Sequence, residues 1–204
     1  MLNVGLTGGI ASGKSTVARM LVEKGALLID LDELAHDVEV PEGDVWRRIV
    51  HHFGEGVLCA DRTIDRKRLG SIVFADPLQL KLLNGLVHPA VFDVWQGRLR
   101  EIRKTDPGVI VLSAIPLLIE AGMVEMVDLV LLVYLPPEKQ ILRLMQRDGY
   151  NRHEAEMRIA SQMPIGEKMP YADIIINNEG SEEETRYALR GIWEELKKRE
   201  AIAG

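Results

Sequence analysis

Apolar residues recur along the chain in two rhythms. Short continuous runs, bounded by glycine, proline or acid, predict strands at LNVGL (2–6), ALLID (26–30), DPGVIVLSAIP (106–116), VDLVLLVYLPP (127–137) and ADIIINNEG (172–180). Helical spacing sets Val17, Met20, Leu21 and Lys24 on one stripe of STVARMLVEKG, ended by Gly25. Buried strands separated by helical segments predict an α/β fold, a five-stranded parallel sheet covered by helices on both faces. Residues 33–105 separate the second strand from the third. They carry helical patterns at GDVWRRIVHHFG, DPLQLKLLNGLVHP and AVFDVWQGRLREIRK, and an insertion of that length implies a substrate-binding cap. Two further helices follow the fourth strand, and Ser181 with Glu184 predicts a capping box opening a final amphipathic helix.

Composition narrows the partners. The 204 residues suit one domain, and a net charge of −6 leaves no basic field for nucleic acid, so an anion must be held locally. The one cysteine, Cys59, excludes an intramolecular disulfide and reads as a small buried or loop residue. There is no secretory leader pattern and no apolar run of membrane-spanning length, so the chain is expected to be cytoplasmic, with no membrane partner. The oligomeric state stays open.

GLTGGIASGKST, Gly5 to Thr16, carries the chemistry. Gly8, Gly13, Lys14 and Ser15 satisfy G-x-x-x-x-G-K-[ST], with a strand before and a helix after. This is the context of a P-loop, in which backbone N–H groups converge on a polyphosphate at a helix N-terminus. The expected nucleotide contacts are Gly9, Ile10, Ala11, Ser12, Gly13, Lys14, Ser15 and Thr16. Lys14 would reach the β- and γ-phosphates and Ser15 would ligate Mg2+. The Thr16 side chain itself is expected to face the core or solvent.

Asp30 and Asp32 end the second strand two residues apart, on one side of it while the strand geometry lasts. Ligands of open parallel sheets collect at the carboxyl ends of the strands, where an acid could deprotonate an attacking hydroxyl. Asp32 reads equally well as a helix N-cap before ELAHDV.

At this point the chain resembles a known family. GLTGGIASGKSTV, IDLD, VHP, IPLLIEAG, LMQRDG, SQMP and IINNEG occur in the order seen in dephospho-coenzyme A kinases, from Leu2 to about Trp193. The resemblance implies a P-loop kinase that phosphorylates the ribose 3′-hydroxyl of dephospho-coenzyme A with ATP and Mg2+, the last step of coenzyme A synthesis. It implies a core of about 1–32, 106–146 and 169–204, a substrate-binding helical insertion at 33–105 and a lid at 147–168. Asp32 would be the general base, with Asp30 structural or assisting Mg2+ through water. His88, Pro89, Pro116, Leu117, Leu118 and Glu120 would meet the substrate, and Asn178 and Gly180 would lie near the adenine. Arg147 would close over the transferring group from the mouth of the lid, and Arg143 is a second candidate for phosphate contact. His88 also reads as a helix-end histidine, the two arginines as a solvated helix face and INNEG as a polar turn.

The chain departs from the family pattern at three places. Ala11 replaces a glycine, which is tolerable only where φ need not be positive. Ser113, Ala114 and Ile115 precede PLL where an acid is common, and His36 replaces an arginine. A kinase of a smaller metabolite is the alternative enzyme. A nucleotide switch or motor is disfavoured because the chain has no N-K-x-D, and its central strands do not end in Asp-Glu.

Overall fold

Every residue of β1 (Leu2–Gly8) is buried, because it is the central strand of a five-stranded parallel sheet. The others are β2 (Leu27–Asp30), β3 (Ile110–Ala114), β4 (Leu129–Tyr134) and β5 (Ile174–Asn177), in the spatial order β2-β3-β1-β4-β5. The computed structural model describes residues 1–203. One face of β1 presents Leu2, Val4 and Leu6 to Val17, Met20 and Leu21 of α1 (Lys14–Val22) and to Leu189 and Leu196 of α9 (Glu182–Ala203). The other face is polar or bare and is sealed by the loop after β3. Thr7 Oγ1 donates to the Pro116 carbonyl at 3.1 Å, Ser113 Oγ to Asn3 Oδ1 at 2.7 Å, and a side chain at Gly5 would strike Leu118.

The outer strands differ from the buried runs expected of them. Leu27 and Leu28 are 43% and 42% exposed, since β2 is an edge strand with a single neighbour. After β4 come α6 (Pro137–Asp148), α7 (Arg152–Ala160) and a single turn, α8 (Ile165–Lys168). Asn151 and Glu154 form a capping box on α7, and Ser181 and Glu184 form the expected one on α9.

The chain divides into two compact units. One comprises Met1–Ile29 and the chain from Arg103 onward; the other is Asp30–Ile102. The second unit holds α2 (Leu31–Asp37), α3 (Asp44–Phe53), α4 (Arg66–Val73) and most of α5 (Pro77–Thr105). Sequence reading missed α4, whose first turn is capped by Asp65. It also split α5 at the His88-Pro89 pair. The helix continues through Pro89 with the loss of one backbone hydrogen bond, and apolar burial at Val87, Val91, Trp95 and Leu99 holds it together. Cys59 is exposed and free. Among the described residues no helix is long and apolar enough to cross a membrane.

Candidate active site

The sequence of the loop dictates its shape. Gly8 ends β1 where a side chain would press on the Val133 carbonyl, and Gly9 lies under the amide of Gln140, 2.9 Å from where a Cβ would stand. Ala11 has φ 57° and Gly13 φ 93°. The backbone therefore turns left-handed twice before α1 begins at Lys14. The expectation for Ala11 is corrected here: the position does need positive φ, and an alanine occupies it at a cost of about 1–2 kcal/mol.

Side chains from outside the loop hold it open. Asn178 Nδ2 donates to the Ser12 carbonyl at 2.7 Å, and Arg143 donates to the same carbonyl at 3.3 Å and to the Asn178 carbonyl at 2.9 Å. Ile10 N–H donates to Gln162 Oε1 at 3.0 Å. Gln140 is itself fixed by the Leu135 carbonyl at 2.7 Å. Ser12 Oγ is buried without a hydrogen-bond partner among the described residues. An orphaned hydroxyl in a loop whose amides gather at a helix N-terminus fits a polyphosphate ligand. Lys14 starts the helix and Ser15, next along, is exposed. Among the described residues no group of three or more His, Cys, Asp or Glu is placed to hold a metal. The exposed Ser15 hydroxyl is an oxygen donor of the kind that fits Mg2+ arriving with a nucleotide.

Other expected site residues are distributed unevenly. Asn178 spends its amide on the loop and its carbonyl on Thr185 Oγ1 at 2.7 Å, so its side chain is committed to building the loop. Gly180 is exposed just before α9. Arg147, at the end of α6, makes a bidentate pair with Asp148 at 2.8 and 2.9 Å. Leu118 is completely buried and offers no surface, whereas Leu117 is 45% exposed beside a half-buried Pro116. Glu120 accepts from Met163 N–H at 3.3 Å and lies 2.6 Å from the buried Lys168 ammonium. Gln140, Gln162 and Lys168 escaped sequence reading because amides and a lysine bear no catalytic pattern; only the motif SQMP pointed at Gln162.

In the second unit the D-x-D pair spans a strand-to-helix junction, so the two carboxylates do not share a strand face. Asp30, not Asp32, is the N-cap of α2: its Oδ1 accepts from Asp32 N–H at 2.9 Å. Asp32 lies in the first turn of α2. His88 and Pro89 stand on an exposed face within α5, so His88 is not a helix-end residue. His51 and His52, with Arg47 and Arg48, line an open cleft of about 380 Å3 over Leu82 and Leu86.

A parallel sheet whose central strand runs through a glycine-rich anion loop into a helix defines a P-loop kinase fold. The family model described as CoaE, dephospho-CoA kinase, matches residues 2–184. The chain is 55% identical over 202 residues to a dephospho-CoA kinase of Syntrophus aciditrophicus, covering 99% of this chain and 86% of that protein. It superposes on a crystal structure of a Thermus thermophilus protein with a TM-score of 0.81 at 36% identity, over 96% of this chain and 97% of that one. For the dephospho-CoA kinase of Campylobacter jejuni the TM-score is 0.73 at 30% identity, with the same coverage. The chain belongs to the dephospho-CoA kinase family.

Proposed function

We propose that this chain transfers the γ-phosphoryl group of ATP to the ribose 3′-hydroxyl of dephospho-coenzyme A, giving ADP and coenzyme A in the last step of that synthesis. The observation that carries the reading is the braced loop, Gly8 to Lys14, with its orphaned Ser12 hydroxyl, in a chain that matches the kinase family over residues 2–184. The loop from Gly9 to Thr16 and the Lys14 ammonium would hold the β- and γ-phosphates, with Ile10 contributing through the bond that fixes its amide to Gln162, and Ser15 would hold Mg2+, whose charge would offset theirs. Asp32 accepts the proton of the attacking ribose hydroxyl, and Asp30 orients α2 beneath it. Arg147 exchanges its Asp148 partner for the charge that develops on the transferring group. Arg143 and Asn178 act on the nucleotide through the Ser12 carbonyl, and Gly180 borders the adenine side. His88, Pro89, Pro116, Leu117 and Glu120 belong to the acceptor side. A small-molecule substrate and a cytoplasmic location complete the reading.

The test is coupled ADP release with ATP and Mg2+, comparing dephospho-coenzyme A with adenosine, AMP and gluconate. Turnover confined to dephospho-coenzyme A, with a product heavier by one phosphate, is the expected result. Turnover only with a smaller acceptor would overturn the substrate assignment.

A further inference from the structure

We propose that Gln162 is a positioning residue that ties the tip of the phosphate loop to the segment 147–168, and that the Glu120–Lys168 pair holds Gln162 in place. The proposal rests on reading the loop as the nucleotide site. The Ile10 N–H donates to Gln162 Oε1 at 3.0 Å, joining residues 152 apart in sequence. The same stretch of loop is held by its side chains as well. Ile10 and Ala11 pack against Ile141, Leu144 and Ala155, a cluster completed by Met145 of α6, Ile159 of α7 and Tyr150 in the turn between the two helices. The loop tip is therefore fixed through both backbone and side chain to the elements that follow β4.

The turn carrying Gln162 is anchored in its own right. Met163 N–H donates to Glu120 Oε1 at 3.3 Å, and that oxygen lies 2.6 Å from Lys168 Nζ. The Lys168 side chain is completely buried, and a buried ammonium is strongly unfavourable without a counter-charge, so lysine and glutamate fix each other in one arrangement. Glu120 follows β3 and Lys168 ends α8, so this pair pins the turn at 161–168 to the sheet. Ala11, left-handed at φ 57°, packs into the same cluster. Any displacement of 147–168 thus carries the Ile10 amide with it, and nucleotide affinity depends on a side chain that is not a phosphate ligand.

The experiment pairs amide exchange at Ile10 with calorimetric affinity for ADP and a non-hydrolysable ATP analogue, so neither readout needs the acceptor. Gln162→Ala should accelerate Ile10 exchange and weaken both nucleotides about three- to tenfold, the worth of one hydrogen bond. Its thermal midpoint should stay within about 2 °C of wild type. Gln162→Glu keeps an oxygen acceptor and should leave Ile10 protected. The double variant Glu120→Gln, Lys168→Met removes both charges of the pair together, leaving no buried ammonium unpaired, and should accelerate Ile10 exchange as Gln162→Ala does. Unchanged Ile10 exchange in Gln162→Ala, or accelerated exchange with unchanged affinity, would overturn the proposal. Wild-type protein that binds these nucleotides without phosphorylating dephospho-coenzyme A would overturn only the functional reading.

Discussion

The side-chain amide of Asn178 bridges two elements, donating to the Ser12 carbonyl at 2.7 Å and accepting from the Thr185 hydroxyl at 2.7 Å. A buried amide satisfied on both sides sets the width of the phosphate loop from the end of β5 and the start of α9. Removing it leaves each partner an alternative, since Arg143 still reaches the Ser12 carbonyl at 3.3 Å and Thr185 still reaches the Ser181 carbonyl at 3.1 Å. Asn178→Ala is therefore expected to cost about 1–2 kcal/mol, less than an orphaned pair would. Urea unfolding without nucleotide measures this, and an unchanged midpoint would remove Asn178 from the architecture of the loop.

Ala11 gives the opposite sign. A left-handed alanine is strained by about 1–2 kcal/mol, whereas a glycine there loses about 0.5–1 kcal/mol in backbone entropy. The Ala11→Gly protein should be more stable by roughly 0.5–1 kcal/mol, or about 1–4 °C in thermal midpoint. Gly13→Ala should be destabilising, because φ is 93° and the new Cβ would run into Asn178 Nδ2. A calorimetric scan in which Ala11→Gly melts earlier than wild type would refute the strain.

What the sequence made legible follows from how local each signal is. The P-loop reads directly because its glycines, Lys14 and Ser15 are contiguous and bounded by a strand and a helix. The Ser181–Glu184 cap reads for the same reason. The helix through Pro89 was misread because local rules end helices at proline, while the burial of Val87, Val91 and Trp95 that overrides them is tertiary. Asp30 and Asp32 are ambiguous by composition, and only the dihedral change at the strand end assigns the cap to Asp30. Gln162 and Lys168 owe their significance to partners 152 and 48 residues away, Ile10 and Glu120, which no local pattern encodes.

The two aspartates should separate by experiment. General-base catalysis contributes about 10²–10⁴-fold, so Asp32→Asn is expected to lose turnover by roughly that factor while ADP still binds. Asp30→Ala removes an N-cap and should cost about 1 kcal/mol of stability. Steady-state kinetics beside urea unfolding distinguishes them. Full turnover in Asp32→Asn would end its assignment as base.

Glu39 yields a pH prediction within the second unit. Its side chain is 7% exposed and 2.6 Å from Arg66, and burial, outweighing the opposing charges of Arg66 and His36, holds its carboxyl above the ordinary value of 4.5. A raised carboxyl pKa means that the folded chain keeps the proton longer than the unfolded one. Stability is therefore higher below pH 4.5, declines as the pH rises towards the folded value, and remains reduced above it. Glu39→Gln cannot ionise and escapes that decline. The cost is one ion pair to a half-exposed arginine, worth about 0–1 kcal/mol. Urea midpoints from pH 4 to 8 should show the variant gaining on wild type as the pH increases. A wild type that instead gains on Glu39→Gln over that range would show the Arg66 pair outweighing burial and reverse the sign of the argument.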